Sequence, residues 1–278
     1  MFSRKKFFIL LIIFTHINLL AQRSKKDHTI TVFVHETFPM RRLLHHTPAK
    51  SLLYTEQGLC LAKNLPNHYH FYKIAQGCIK LNSHDYGWDR FYIFGWKSEK
   101  ILNSSRKNAA KDLVTALAQV VDSYYIQHGV HPSIRLIGFS HGGNVVLHTA
   151  NYLPLVHNTI PIDVQAWIFG TPIQQANHDC VNQGKFTQCY SFYSEKDWIQ
   201  RIDPQGLCNK KIRKDHFWSD RTFDKDASCI QVKFTVNDKS ISHIYYRSVF
   251  KYFPIIEQIT QSQSDGLQSG MIAVDVKI

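Results

Sequence analysis

Apolar and polar positions divide the chain into alternating strands and helices. Thr29–His35 (Thr-Ile-Thr-Val-Phe-Val-His) is rich in β-branched residues and predicts a core strand. Arg90–Trp96 predicts the next strand and its turn. From Ser104 or Ser105 to His128, Ala109, Leu113, Leu117, Val120, Val121 and Tyr124 recur at helical spacing. The serines are candidate caps, and Gly129 sits where a helix-ending glycine is expected. The apolar run Ile134–Ile137 reads as a strand that meets Gly138-Phe139-Ser140-His141-Gly142, and a helical stretch follows up to Pro154. Val164–Phe169, Thr187–Tyr193 and Ile230–Val236 predict further strands. Ile244–Gln261 is mostly helical, with Pro254 as a kink or break, and Met271–Ile278 is weakly strand-like. Strands alternating with helices define an α/β class with a mainly parallel sheet and helices on both faces.

Met40–Arg90 lacks a clean period. Its aromatic series (Tyr69, Phe71, Tyr72, Tyr86, Trp88) argues against disorder and predicts one helix plus loops over the sheet edge. It serves either as a lid or substrate wall or as core packing. The 278 residues suit one large domain over 23–278, with 40–90 as an insertion.

Met1–Gln22 reads as a secretory signal: Arg4, Lys5 and Lys6, then apolar Phe7–Phe14, then Ala21 as a small residue for cleavage. Leu19 stands where a small residue is preferred, so an uncleaved N-terminal anchor is the alternative. A secreted or periplasmic location follows from the first reading. Export changes what the six cysteines mean, because an even count in an exported chain favours disulfides. Pairing by proximity gives Cys60–Cys78, Cys180–Cys189 and Cys208–Cys229, against buried free thiols as the alternative. The absence of any C-x-x-C pair gives no hint of a metal site. The net charge of +12 falls to +9 once Met1–Gln22 is removed. The basic residues are scattered and no nucleic-acid motif accompanies them, which leaves a solvated surface or peripheral contact with anionic membrane.

The candidate chemistry lies at the strand–G-x-S-x-G–helix unit. So tight a turn strains the serine backbone and excludes side chains two residues before and after it, which Gly138 and Gly142 satisfy. A serine hydroxyl needs a base to take its proton and an acid to hold that base in one tautomer. In such units the order is serine, acid, histidine. Ser140, Asp197 just past Tyr193 and His243 past the last strand fit that order. The rivals are Glu195 and Asp203 for the acid and His216 for the base; His141 sits too near the serine for its ring to swing back.

On these residues the chain resembles the α/β-hydrolase superfamily, in particular its lipase- and esterase-like members and a subset of small bacterial hydrolases. The resemblance runs from Thr29 to about Gln261. It rests on Val32-Phe33-Val34-His35, on Ile137-Gly-Phe-Ser-His-Gly-Gly143, on Tyr193-Ser-Glu-Lys-Asp197 and on Ser242-His243, with Phe94-Gly95-Trp96 in support. It implies an oxyanion hole from the N–H groups of His141 and Thr37, and substrate contacts at His35, Glu36 and Phe139. The chain departs from the family at Glu36, which stands where His-Gly is usual. That puts a carboxylate near developing negative charge.

The expected activity is an exported serine hydrolase cleaving carboxylic esters, possible lipids included, with no cofactor or metal implied. The alternative is a catalytically weak or inactive α/β-hydrolase-fold binding protein at the cell envelope, for which Glu36 is the motive.

Overall fold

The computed structural model describes residues 28–37, 47, 56–99, 102–157, 159–203 and 217–278. The expected leader Met1–Gln22, part of the 40–90 stretch, Cys208 and His216 lie outside them. In chain order the strands are β1 (Thr29–Val34), β2 (Gly58–Leu61), β3 (Phe91–Gly95), β4 (Ser133–Phe139), β5 (Val156–His157), β6 (Ile160–Pro161), β7 (Val164–Phe169), β8 (Gln188–Tyr193), β9 (Ile230–Val236), β10 (Lys239–Ser240) and β11 (Gly270–Val276). The helices are α1 (His70–Leu81), α2 (Asn103–His128), α3 (His141–His148), α4 (Tyr246–Val249) and α5 (Phe253–Gln263).

The main sheet runs in the order β10-β9-β8-β7-β4-β1-β3-β2, and β11 also pairs with β9. β3, β1, β4, β7, β8, β9 and β11 are mutually parallel, whereas β2 and β10 attach antiparallel. β5 and β6 form a separate two-stranded ribbon. The central strands alternate between two cores. Ile30, Val32, Val34, Ile134 and Leu136 face α2 and α3, while Phe33, Ile137, Phe139, Trp167 and Phe169 face α1, α4 and α5. Burial on both faces is why these strands read as continuous apolar runs. On the second face Arg135 forms a buried ion pair with Glu257, and Tyr86 Oη–H donates to the same carboxylate at 2.6 Å. Charges this deep persist only when paired and hydrogen-bonded.

The predicted strands and helices are all present. α2 buries Ala109, Leu113, Leu117, Val121 and Tyr124 and ends on Gly129 in a left-handed conformation, φ 71°. Its N-cap is Leu102 without a side-chain cap, so neither Ser104 nor Ser105 caps it. β2 is the strand the irregular 40–90 stretch conceals. The weakly patterned tail becomes β11, which pairs along the whole of β9.

Two of the proximity pairs, Cys60–Cys78 and Cys180–Cys189, are unbonded in the structure, and the third includes Cys208, outside the described residues. Cys229 likewise carries no bond to a described residue there. Cys60 lies on β2 and Cys78 on α1, where its thiol donates to Phe250 O at 3.6 Å; Cys180 contacts Asn151 Nδ2 at 3.9 Å. Among the described residues no helix is long and apolar enough to cross a membrane.

Candidate active site

The turn from β4 into α3 is the most strained point of the site. Ser140 adopts φ 52° and ψ −127°, a region that costs a non-glycine residue about 1–3 kcal/mol. Ser140 N–H donates to Phe169 O at 2.8 Å and Gly143 N–H donates to Ser140 O at 2.9 Å, which holds the turn closed. A Cβ at Gly142 would lie 2.2 Å from Val34 O and 2.5 Å from His35 O. The elbow is therefore seated against the end of β1, and only glycine fits there.

Two further strand ends bring their residues to this turn. Asp197 follows β8 and is fully buried. Its Oδ1 accepts the Gln200 N–H at 3.3 Å, and its Oδ2 accepts from His243 Nδ1–H at 2.8 Å. A carboxylate only accepts, so Nδ1 carries the proton and Nε2 keeps its lone pair. The His243 ring stacks on Phe139, the residue before Ser140, with centroids 4.9 Å apart. No hydrogen bond to Ser140 Oγ is made among the described residues.

His35 and Glu36 in the turn after β1, and Phe139 at the end of β4, are the residues expected to contact substrate. His35, Glu36 and Phe139 are 0%, 5% and 1% exposed, and each makes internal contacts. His35 Nδ1–H donates to Glu36 O at 2.8 Å, and Trp96 Nε1–H donates to His35 O at 2.8 Å. Glu36 accepts from Arg247 on α4 at 2.5 Å. The charge that stands in place of glycine is thus neutralised. Phe139 carries the His243 ring. All three brace the site because β1 and β4 are central strands with both faces covered. The N–H groups of Thr37 and His141 meet no backbone acceptor among the described residues, and Thr37 Oγ1 is buried without a partner.

A second His–Asp pair, His141 with Asp203, flanks the serine, and no local pattern announces the pairing. His141 Nε2 lies 3.2 Å from Asp203 Oδ1 and 3.4 Å from Arg106, and its Nδ1 lies 3.0 Å from Asn144 Nδ2. Gln174 and Ser219 also donate to Asp203, and Arg106 donates to Gln174 at 2.6 Å. Burial, with the Arg106 charge behind it, lowers the His141 pKa. Burial opposes ionisation of Asp203, yet the hydrogen bond from His141 and the Arg106 guanidinium hold it below the usual carboxylate range. Both His141 ring nitrogens are engaged, so His141 is no base for Ser140, whereas His243 keeps one nitrogen open. Asp203 is accordingly the partner of His141, and Glu195 is exposed and paired with Lys233 at 2.6 Å.

Exposed apolar side chains adjoin Asp197 and His243 in the chain. Trp198 and Ile202 share the turn after Asp197, and Ile244 and Tyr245 follow His243; all four are exposed, Trp198 by 62% and Ile244 by 65%. Trp218, also exposed, adjoins Ser219 on Asp203. A cavity of about 780 Å³ between β3 and α2, bordered by Trp96, Lys97 and Asp112, includes none of these residues. Among the described residues no group of three or more His, Cys, Asp or Glu side chains is placed to hold a metal ion.

No family model matches the chain, and no curated protein matches it. Similar solved structures include a lipase-esterase related protein from Clostridium acetobutylicum ATCC 824, at 13% identity over 91% of this chain and 86% of that one, with a TM-score of 0.30. A lipase/esterase from Lactobacillus plantarum is 11% identical over 90% and 80% of the two chains, TM-score 0.34. An alpha/beta hydrolase superfamily protein from Enterococcus faecalis is 10% identical over 90% and 81%, TM-score 0.26.

Proposed function

We propose that the protein is an exported serine hydrolase of carboxylic esters with an amphiphilic acyl or alcohol part. The observation that carries the reading is the Asp197–His243 hydrogen bond, delivered from two strand ends against the strained Ser140 turn. Ser140 Oγ attacks the ester carbonyl as His243 Nε2 accepts its proton. Asp197 holds the imidazole in the tautomer that leaves Nε2 free and stabilises the imidazolium that forms. The N–H groups of His141 and Thr37 receive the oxyanion, with the Thr37 hydroxyl as a further donor. His243 returns the proton to the leaving alcohol, and a water activated by the same nitrogen releases the acyl group.

The exposed Trp198, Ile202, Ile244 and Tyr245, carried on the segments that follow Asp197 and His243, support an amphiphilic substrate over a small soluble one. The basic surface favours a substrate presented by anionic lipid. The binding-protein alternative rests on Glu36; the ion pair that Glu36 makes with Arg247 supports the catalytic reading over it.

The test is intact-mass labelling with a fluorophosphonate. The folded protein is expected to take one adduct and Ser140→Ala none. A folded wild-type protein that takes no adduct overturns the assignment. Mass analysis of protein recovered outside the cell tests export: loss of Met1–Gln22 supports it.

A further inference from the structure

We propose that Cys189 and Cys229 are joined by a disulfide between β8 and β9, which ties together the two strands that deliver Asp197 and His243. Tyr190 pairs with Ile230 in the parallel register, so Cys189 and Cys229, each one residue earlier, stand opposite each other. Both belong to the buried cluster on the α2/α3 face, together with Phe223 and Ala227. Their sulfurs are 3.3 Å apart, closer than unbonded sulfurs normally pack. Adjacent strands hold paired Cα atoms about 4.8 Å apart, inside the window of about 4.4–6.8 Å that a disulfide requires. Closing to a bond of about 2.05 Å therefore needs side-chain rotation and no backbone movement.

The position has consequences for the site. Cys189 lies on the strand that leads to Asp197, and Cys229 directly precedes the strand that leads to His243. The bond would close a loop of 40 residues that contains Asp197, Trp198 and Asp203. It would fix the acid's strand to the base's strand independently of the substrate.

The oxidant is an organic disulfide, either oxidised glutathione or the active-site disulfide of a thiol oxidoreductase. One cysteine thiolate attacks it, forming a mixed disulfide and expelling the first thiolate. The second cysteine, as thiolate, then attacks the protein sulfur and expels the other. Two protein thiols lose two protons and two electrons, and the oxidant becomes two thiols. Both cysteines are buried in the folded chain, and burial, with Cys189 beside it, pushes the Cys229 thiol up. Exchange therefore runs before β8 and β9 close, and the finished bond is shielded from reductant.

The test folds the full chain in a mixture of oxidised and reduced glutathione, denatures it in N-ethylmaleimide with or without prior reduction, and reads intact mass and digested peptides. The unreduced sample is expected to lack adducts at Cys189 and Cys229 and to yield a linked peptide joining them. Reduction in denaturant followed by refolding should lower the melting temperature by roughly 5–10 °C. The Cys189→Ala/Cys229→Ala variant should fold, melt like the reduced protein and show no response to oxidant. Adducts on both cysteines after oxidative folding, or a bond from either to any other cysteine, would overturn the proposal.

Discussion

Arg247 offers the sharpest test of how the site tolerates Glu36. Arg247→Met removes the guanidinium 2.5 Å from a carboxylate that is only 5% exposed. Breaking a fully buried pair costs about 3–5 kcal/mol, but the Arg247 side chain is 28% exposed, which reduces the cost to about 1–3 kcal/mol. At 2–4 °C per kcal/mol for a chain of this size, the melting temperature falls by roughly 2–12 °C. Catalysis suffers separately. The freed carboxylate belongs to the residue directly before Thr37, so it would stand on the order of 7 Å from an oxyanion held by the Thr37 N–H. At an effective dielectric near 20 that repulsion is about 2 kcal/mol, or roughly 30-fold in rate. Circular dichroism gives the first quantity and the rate of fluorophosphonate labelling gives the second. Glu36→Gln in the Arg247→Met background should restore most of the labelling rate, because it removes the charge and not the shape. Refutation would come from a double variant that labels as slowly as Arg247→Met alone. In that case Glu36 would act by sterics.

The other expectations are more compact. Asp197→Asn should keep the fold and lower turnover roughly 10³–10⁴-fold, as the amide favours the wrong His243 tautomer; steady-state ester hydrolysis checks it. Thr37→Val should cost roughly 10²-fold in kcat with KM little changed if the orphaned hydroxyl serves the oxyanion. Burial, followed by the charges of Lys107 and Arg106, lowers His148 from 6.5 to about 4. Its contribution of about 2–3 kcal/mol is complete above pH 6.5 and lost as pH falls towards 4, because the unfolded chain binds the proton first. Melting temperatures of wild type and His148→Gln should therefore converge on acidification. Trp198→Ser with Ile244→Ser should slow hydrolysis of vesicle-borne esters at least tenfold while leaving a soluble short-chain ester within twofold.

Local patterns made most of the scaffold legible. Thr29–His35, Ile134–Ile137 and Ile230–Val236 announce themselves because central parallel strands are apolar on both faces. Ser140, Asp197 and His243 were legible as positions after strands, since the sheet fixes where strand ends converge. β2 escaped because Gly58–Leu61 is an edge strand with partly exposed residues and little alternation. The Asp203–His141–Arg106 cluster escaped for another reason. Arg106 sits in a helix start that reads as surface, Asp203 in a loop, and only tertiary packing brings them to the serine's neighbour. Arg247 was silent in the same way: nothing near Glu36 in sequence foretells its partner 211 positions later.

β11 pairs along all of β9, from Gly270↔Ile230 to Val276↔Val236. That pairing imposes an order on how the molecule matures. A ribosome delivers the serine turn, then the acid, then the histidine, and only afterwards the strand that covers β9. Until residues 270–276 emerge, β9 presents an open, apolar edge to whatever surrounds the nascent chain. The segment presenting His243 is thus secured last, so the contact between Asp197 and His243 is left for the end of folding by the chain's own sequence order.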